Sequence, residues 1–460
     1  MEKWLQAALG YVPRWLGHQI RLAQHPGAVL AIAHKGVLVF EQAFGLADLE
    51  QGTKLSPRHR FRVASHSKSF TAAGILKLRE QGRLGLDDAT GRHVKGLHPA
   101  VAKTTIAQLL SHSAGIIRDG TDSDQWADRR PFLDEGELRA ALAEPLIIDA
   151  NTRFKYSNHG FGLAGLVIEG VTGEPYGSWI EREIVKPAGL TETAHDIENV
   201  DPARMASGHS GRLPLGRRVV IPGRNSTGAL AAATGFVATA RDLTRFFGGL
   251  DPAAKAGILS AASRREMVRP QWRSPHSSLD LRYGLGLMIG RTAGWDWFGH
   301  GGAFQGFISR TAMLPEASLT ISLVTNAIDG PAAIWVGGVA EILRRFAREG
   351  APARRLADWT GRWWSIWRAL DLVPMGDKVV VAHPDLANPF EEAAEITVSG
   401  RDRGRLALAN GFDSHGEEVR RLRNRQGDVI GVRLGGGEYR SEARLAAEME
   451  KRYGGGKDAK

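Results

Sequence analysis

The sequence has 460 residues, with 60 Lys and Arg against 50 Asp and Glu, so its formal net charge is +10. A chain of this length is expected to form one large domain with an appendage, or two to three ordinary domains. With 43% apolar and 24% charged residues, it can form a large core, which excludes global disorder. The sequence contains no Cys, which excludes disulfides, thiolate zinc sites, iron–sulfur clusters and cysteine nucleophiles.

The distribution of charge argues against membrane and nucleic-acid partners. Residues 1–20 do not resemble a signal peptide, because Glu2, Lys3 and Arg14 interrupt the apolar run that such a peptide needs. No stretch approaches the ~18 consecutive apolar residues of a membrane-spanning helix. No block of five or six Lys and Arg occurs either, as a nucleic-acid-binding segment would show. We therefore expect a soluble, cytoplasmic protein with no membrane and no nucleic-acid partner.

The first 350 residues combine strand and helix patterns. An early hairpin is predicted from residues 28–33 and 37–40, joined by His34, Lys35 and Gly36. Helical spacing follows over residues 61–78, 105–115 and 160–171, with Gly173 as the C-cap of the third helix. Strand patterns return at residues 295–298, 307–314 and 319–325. Strands at both ends with helices between them predict an α+β domain whose termini share one antiparallel sheet.

The composition changes after Leu343, where the charged segment 344–355 resembles a helix end followed by a linker. Short strand patterns separated by Gly, Asn and Asp follow at residues 362–367, 378–382, 395–398, 405–409, 419–423 and 429–434. Such spacing is typical of a small barrel or sandwich. The predicted domains are a first domain over 1–348, a linker over 349–358, a small β-barrel over 359–453 and a flexible tail over 454–460.

Ser65 and Lys68 stand three positions apart at the start of the first helical pattern, which places both side chains on one helical face. A serine hydroxyl is a weak nucleophile unless a neighbour takes its proton. A lysine does so only when burial or nearby positive charge lowers its pKa. A helix N-terminus supplies a positive field and offers the N–H of Ser65 to an oxyanion. The alternative is a solvated surface pair.

Tyr156, Ser157 and Asn158 lie between the strand-like residues 153–155 and the apolar helix from Gly160. Tyr156 would relay a proton if Lys68 lowers the pKa of its phenol. The Asn158 amide would bind either a substrate amide or the Lys68 ammonium. The alternative is a packed tyrosine beside a helix-capping asparagine.

The run Gly299, His300, Gly301, Gly302 and Ala303 stands at the end of a predicted strand. Consecutive glycines let a backbone approach a ligand closely. The N–H of Ala303 would then complete a two-donor oxyanion hole with that of Ser65. The alternative is a tight turn, which a Gly-rich run marks equally well.

The three motifs occur in the order SxxK, YxN, HxG with long intervals between them. Together they resemble the serine β-lactamase and penicillin-recognising hydrolase family, in the branch of class C β-lactamases, D-aminopeptidases and β-lactamase-like carboxylesterases. The resemblance runs from about His25 to Ile342 and includes further stretches at residues 61–71, 82–88, 109–115, 154–189, 232–235 and 239–243. It implies a β-lactamase/transpeptidase-like fold, in which helices flank an antiparallel sheet and a helical subdomain is added.

The segment from Trp359 resembles the small lipocalin-like β-barrel that accompanies some D-aminopeptidases. Four tryptophans are candidates for the core of this barrel: Trp359, Trp363, Trp364 and Trp367. The alternative is that one barrel loop reaches over the active site and restricts substrate length.

The family resemblance also implies roles for single residues. Ser65 would be the acylated nucleophile, Lys68 its proton acceptor, and Tyr156 the group that delivers the proton to the leaving group. Asn158 would bind the acyl side of the substrate. The strand that carries Gly301, Gly302 and Ala303 would line the substrate, with Ala303 and Ser65 as oxyanion donors.

His300, counted with the catalytic residues, stands where β-lactamases carry a lysine. An unperturbed histidine, with a pKa of about 6.5, is mostly neutral at pH 7, so it holds a substrate carboxylate less well than a lysine does. Amide or ester hydrolysis is therefore favoured over β-lactam hydrolysis. His66 is expected to be structural, and His112 is expected to pack or cap in its turn.

The sequence thus predicts a serine hydrolase that cleaves small amides or peptides through an acyl-enzyme, as a D-aminopeptidase does. The alternatives are a carboxylesterase, a β-lactamase or DD-peptidase, and a non-catalytic binding protein on the same scaffold. No metal or other cofactor is implied, since no metal-binding, P-loop or dinucleotide motif is present. The expected partner is a small amide, peptide or ester substrate, and self-association into a homo-oligomer is left open.

Overall fold

The computed structural model describes residues 1–198, 200–273, 280–409 and 414–454. The chain forms two compact units. One is made of Gln24–Val336, and the other combines Met1–Ala23 with Gly337–Lys460. The predicted boundaries at 348 and 359 stay a proposal, and the predicted tail beyond Gly454 lies outside the described residues.

An antiparallel sheet, with nine strands among the described residues, forms the centre of the Gln24–Val336 unit. In chain order its strands are β1 (Gly27–His34), β2 (Val37–Asp48), β3 (Thr53–Lys54), β8 (Trp272–Arg273), β9 (Arg282–Tyr283), β10 (Met288–Thr292), β11 (Trp295–Phe304), β12 (Phe307–Leu314) and β13 (Leu319–Thr325). Across the sheet their order is β3-β2-β1-β13-β12-β11-β10-β9-β8. Because β1 pairs with β13, the first and last strands of the unit lie side by side, as predicted.

Two two-stranded ladders accompany the sheet: β4 (Phe61–Arg62) with β7 (Val237–Ala238), and β5 (Gly208–His209) with β6 (Val220–Ile221). The helices of this unit are α2 (Ser67–Glu80), α3 (Pro99–Ala102), α4 (Ile106–Leu110), α5 (Glu135–Leu142), α6 (Asn158–Thr172), α7 (Tyr176–Ile180), α8 (Ala240–Gly249) and α9 (Ala261–Val268). Every residue of β1 and β13 is buried, and α8 contacts both strands. A sheet covered in this way explains why these strands are nearly continuous apolar runs.

The structure corrects two of the three predicted helices. Residues 61–78 do not form one helix, because Phe61 and Arg62 pair with β7 and the α-helix begins only at Ser67. The second helix ends at Leu110 rather than near Gly115. The third was predicted well, since α6 spans Asn158–Thr172 and Gly173 ends it in the left-handed conformation, with φ +75°.

The second unit contains the predicted small antiparallel barrel, which closes through eight strands among the described residues. They are β14 (Gly361–Trp364), β15 (Ala369–Met375), β16 (Lys378–Ala382), β17 (Ala394–Val398), β18 (Arg403–Leu408), β19 (Glu418–Arg423), β20 (Val429–Leu434) and β21 (Gly437–Arg440). Strands β15 and β21 were not predicted. Trp359 and Trp363 lie in the barrel core, but Trp367 is 87% exposed, so its predicted core role is wrong.

The described residues also form the helices α1 (Lys3–Leu22), α10 (Ala332–Glu349) and α11 (Glu442–Tyr453). Helix α1 packs on the barrel within its own unit, where the hydroxyl of Tyr11 donates to the buried carboxylate of Asp371 at 3.0 Å. Arg362 donates to both oxygens of the same carboxylate, at 2.8 and 2.7 Å. None of the helices in the described part of the chain is long and apolar enough to cross a membrane.

Candidate active site

A single 3-10 turn, Ala64–His66, carries Ser65 immediately before α2. Ala64 adopts a left-handed backbone with φ +46°, which is uncommon for a residue with a Cβ and indicates local strain. The buried Ser67 hydroxyl holds this turn, because it donates to the carbonyl of Ala64 at 2.5 Å and accepts the N–H of Phe236 at 3.0 Å. The backbone that carries Ser65 is thus held in place by Ser67.

The amine of Lys68 is buried beside this serine, as the spacing of three predicted. Lys68 is 0% exposed, and its Nζ lies 3.0 Å from the Oγ of Ser65. Two further acceptors surround the same nitrogen, the Oδ1 of Asn158 at 2.7 Å and the carbonyl of Ala233 at 2.8 Å. Burial lowers the pKa of Lys68 well below 10.5, because a desolvated amine disfavours its charged form.

This geometry suits a neutral amine. A neutral lysine has two N–H groups and one lone pair. If the two N–H groups point at the oxygens of Asn158 and Ala233, the lone pair is left facing the hydroxyl of Ser65. A base in that orientation can accept the serine proton without any rearrangement.

Tyr156 meets the same serine from the loop before α6. Its hydroxyl donates to the Oγ of Ser65 at 2.8 Å. Burial raises the pKa of Tyr156 above 10.0, although Ser65 and Arg118 oppose the shift. The expectation that Lys68 lowers this pKa is therefore not met, and the phenol is a neutral hydrogen-bond donor. The ring of Tyr156 packs on the ring of His112. Nδ1 of His112 accepts the N–H of Ser157, so His112 has the packing role expected from the sequence.

Asn158 is the first residue of α6, and Ser157 rather than Asn158 caps the helix, through a bond from the N–H of Gly160. The side-chain oxygen of Asn158 accepts a hydrogen bond from Lys68, and its Nδ2 donates to Oδ1 of Asp119 at 2.6 Å. The carboxylate of Asp119 also accepts from Nε1 of Trp126 at 3.0 Å and from Nε of Arg118 at 2.9 Å.

Asp119 and Arg118 were not predicted from the sequence. They belong to none of the three motifs, and the only available signal was their place just after the stretch 109–115 that resembles the family. The role of Asp119 is to orient Asn158, because a carboxylate can only accept and so directs the NH2 group toward itself.

The segment that carries Gly301, Gly302 and Ala303 is an interior part of β11, not the end of a strand as predicted. Gly302 lies against the turn that holds Ser65, because a Cβ on it would stand 2.1 Å from the carbonyl oxygen of Val63. This contact brings the backbone around Ala303, an exposed residue, next to Ser65. The need for glycine here is therefore steric and not the conformational need of a tight turn.

His300 is buried and neutral. Burial, reinforced by His66, lowers its pKa well below 6.5. Nδ1 donates to the carbonyl of Gly301 at 2.7 Å, which leaves Nε2 to accept from the hydroxyl of Tyr283 at 3.0 Å. The ring is therefore not a cation for a substrate carboxylate. His66 is structural, as expected, and bonds to the carbonyl of Val63 and to Thr311.

The structure thus brings Ser65, Lys68, Tyr156 and Asn158 into direct hydrogen-bonded contact, with Ala303 on the adjoining strand. Among the residues that it describes, no three His, Asp or Glu side chains are grouped as a metal site would require. What the arrangement can do chemically is to deprotonate a serine hydroxyl, through a neutral amine, next to a neutral phenol.

The chain is similar to curated proteins, to solved structures and to the model of one protein family. "Protein flp" of Staphylococcus aureus (strain COL) is 31% identical over 199 residues, which is 42% of this chain and 39% of the relative. The chain therefore spans about two fifths of the length of this relative. A D-stereospecific amidohydrolase from Streptomyces sp. superposes with TM-score 0.60 and 26% identity, covering 70% of this chain and 96% of that one.

An octameric penicillin-binding protein homologue from Pyrococcus abyssi superposes with TM-score 0.66 and 22% identity over 94% of this chain and 99% of its own. At that identity the likeness shows the fold alone. The model of the Beta-lactamase family matches residues 14–334, which is well over half of the sequence. Because that match includes the sheet and the positions of Ser65, Lys68, Tyr156 and Ala303, the chain belongs to the β-lactamase family.

Proposed function

We propose that the protein is a serine hydrolase that cleaves small amides or peptides through an acyl-enzyme on Ser65. One observation carries the proposal: the Ser65 hydroxyl lies within hydrogen-bonding distance of both a buried lysine amine and a neutral tyrosine phenol. A serine becomes an effective nucleophile when an adjacent base accepts its proton. Lys68, with its lowered pKa, is that base.

In the acylation step, Oγ of Ser65 attacks the substrate carbonyl carbon while its proton passes to Nζ of Lys68. The carbonyl oxygen becomes an oxyanion, and we assign the N–H groups of Ser65 and Ala303 as its donors. The carbon–nitrogen bond then breaks, the leaving amine takes a proton from Tyr156, and Tyr156 regains one from Lys68. The products of this step are a free amine and an ester on Ser65.

In the deacylation step, a water molecule attacks the ester carbonyl on Ser65. Its proton passes to the neutral amine of Lys68, which later returns it to the serine oxygen through Tyr156. The carbon–oxygen bond to Ser65 breaks and the serine oxygen recovers its proton. The acid product leaves and the free enzyme is restored.

Two observations favour amides over esters. An amine is a poor leaving group unless it is protonated, and Tyr156 stays a neutral donor because burial raises its pKa. The superposition on a D-stereospecific amidohydrolase, at 26% identity, points the same way. A β-lactamase activity is less favoured, because His300 is neutral and already bonded to Tyr283. A carboxylesterase remains the alternative within the enzymes.

A fluorophosphonate probe followed by peptide mass spectrometry tests the proposal. We expect one adduct, on Ser65, that disappears in Ser65→Ala and persists in Ser178→Ala, a matched change at an exposed serine on α7. D- and L-amino acid amides, p-nitrophenyl esters and penicillins would then be compared by kcat/KM. No adduct on Ser65, together with no turnover of any of these substrates, would favour the non-catalytic binding protein.

The sequence leaves self-association into a homo-oligomer open, and we propose it as a possibility to be measured. Light scattering coupled to size-exclusion chromatography measures it directly on the purified chain. A mass of a single chain at all concentrations would contradict it.

A further inference from the structure

Arg118 is an exposed positive side chain beside Tyr156, and the proposed reaction does not use it. We call the surface formed by Arg118, Lys155 and Tyr156 the mouth of the site. The side chain of Arg118 is 64% exposed, in contrast to the buried Lys68 and Asn158 of the same site. Its guanidinium carbon lies 5.3 Å from the centroid of the Tyr156 ring. Because the hydroxyl of that ring bonds to Ser65, the guanidinium stands one tyrosine ring away from the nucleophile.

The guanidinium is anchored on one edge and open on the other. Nε donates to Oδ2 of Asp119, whose other oxygen is held by Asn158 and Trp126. The terminal nitrogens Nη1 and Nη2 make no hydrogen bond to any described residue. An arginine held in this way keeps its planar fork pre-organised for a bidentate partner, and carboxylates fit that fork best.

A second cation lies close to the first. Lys155 is half-buried next to Tyr156, and its pKa is lowered by burial and then by the charge of Arg118, while Asp119 opposes the shift. The single carboxylate of Asp119 therefore faces two positive groups. These two side chains and Asp119 together give the mouth a net positive charge, and His300 adds none because it is neutral.

We propose that Arg118, supported by Lys155, forms a subsite for a carboxylate on the substrate, so that anionic amides are preferred over neutral ones. This inference rests on the proposed hydrolase function and specifies its substrate class. The carboxylate belongs either to the acyl part or to the leaving part of the substrate. The experiment separates these two placements.

The test compares matched substrates. N-succinyl and N-acetyl amino acid p-nitroanilides differ by a carboxylate on the acyl side, and dipeptides differ from their C-terminal amides by one on the leaving side. We expect kcat/KM to favour the anionic member of one pair by roughly tenfold to a hundredfold, as a charge-assisted bidentate bond would produce. The ratio should decrease as salt is added.

The decisive measurement is how Arg118→Gln changes that ratio. We expect it to fall to roughly one in Arg118→Gln and to an intermediate value in Arg118→Lys, which keeps the charge but loses the fork. Arg265→Gln, a change at an exposed arginine on α9, serves as the matched control and should keep the wild-type ratio. Effects of Arg118 on Lys68 act on both substrates and cancel in the ratio.

A binding measurement on an inactive variant tests this inference separately from the hydrolase proposal. Calorimetry on Ser65→Ala would compare N-succinyl-phenylalaninamide with N-acetyl-phenylalaninamide, each as the D and the L form. Tighter binding of the succinyl compound that is lost in Ser65→Ala/Arg118→Gln supports the subsite even without turnover. The same calorimetry on a dipeptide and its C-terminal amide covers the leaving side. Equal affinity within both pairs, or substrate ratios that Arg118→Gln leaves unchanged in both pairs, overturns the proposal.

Discussion

Gly302 and Val63 are in such close contact that a Cβ on the glycine would lie 2.1 Å from the carbonyl oxygen of the valine. Real carbon–oxygen contacts are far longer, and a strand and a fixed turn cannot easily move apart. The same Cβ would also lie 2.8 Å from Oγ of Ser309. The distance between β11 and the turn that carries Ser65 therefore depends on this one glycine.

Replacing Gly302 by alanine is expected to separate the proposed oxyanion donor at Ala303 from Ser65. A displacement of about 1 Å costs roughly a hundredfold in kcat, and overpacking costs about 1–3 kcal/mol of unfolding free energy. Gly301→Ala is the matched control, because its Cβ would meet the carbonyl of Ser309 at an ordinary 3.4 Å. Kinetics and urea denaturation of both variants measure the difference, and equal losses would contradict the steric explanation.

The pH dependence of kcat/KM should respond in opposite directions to two neighbouring changes. Lys68 must be neutral to accept the serine proton, so activity rises with pH through its lowered pKa. The charge of Asp119 raises this pKa and that of Arg118 lowers it, both less than burial does. Asp119→Asn should therefore move the acid limb to lower pH, and Arg118→Gln should move it to higher pH.

The acid limb is measured with a neutral substrate, so that anion binding does not contribute. A shift of both variants in the same direction would contradict Lys68 as the group that titrates.

Tyr156→Phe is expected to reduce amide hydrolysis more than hydrolysis of p-nitrophenyl esters. The amine needs a proton to leave, whereas p-nitrophenolate leaves as the anion, so loss of the donor affects the amide by about 10²- to 10⁴-fold and the ester by less. Tyr176→Phe is a matched control, since its buried hydroxyl bonds to Thr71 at 2.7 Å. That variant should lose about 1 kcal/mol of stability and keep the amide-to-ester ratio.

In the barrel unit, Asp371→Ala is expected to be strongly destabilising. The carboxylate is fully buried and compensates the guanidinium of Arg362, so its removal leaves an unpaired charge at a cost of about 3–5 kcal/mol. Tyr11→Phe removes only one neutral donor to the same group and should cost about 1–2 kcal/mol. Guanidinium denaturation of the full chain measures both, and equal effects would contradict the ionic explanation.

Two tryptophans of the barrel unit should differ in how much they contribute to the free energy of unfolding. Trp359 is fully buried with the guanidinium of Arg421 4.6 Å from its ring, so Trp359→Ala should cost about 3–5 kcal/mol. Trp367→Ala should change stability by less than about 0.5 kcal/mol, because the side chain is exposed. Denaturation midpoints compare them, and a large loss in Trp367→Ala would show that the side chain has a partner.

The parts of the fold that could be predicted are those where burial dictates the pattern. Strands β12, β13, β16 and β20 match the predicted bounds because each is an apolar or alternating run between turn residues. The α-helix predicted at 61–78 was too long, since Phe61 and Arg62 are buried in a short strand and their residue types fit a helix equally well. Periodicity cannot distinguish the two over so few residues.

Some contacts of the site could be predicted from the sequence and others could not. The spacing of Ser65 and Lys68 implied their contact, because local geometry determines it. The bond between Asn158 and Asp119 joins positions 39 residues apart and no motif contains it. The pKa of Tyr156 was misjudged for a related reason, since burial, which a sequence does not report for a loop residue, outweighs the neighbouring charges.

The hydrogen bond between Tyr11 and Asp371 connects residues separated by 360 positions. During synthesis α1 leaves the ribosome long before β15 exists, while all of Gln24–Val336 is completed in between. A nascent chain therefore carries the amphipathic helix α1 without the barrel strands that it packs on until the last quarter of translation. Chaperone demand in the cell is expected to concentrate on that interval.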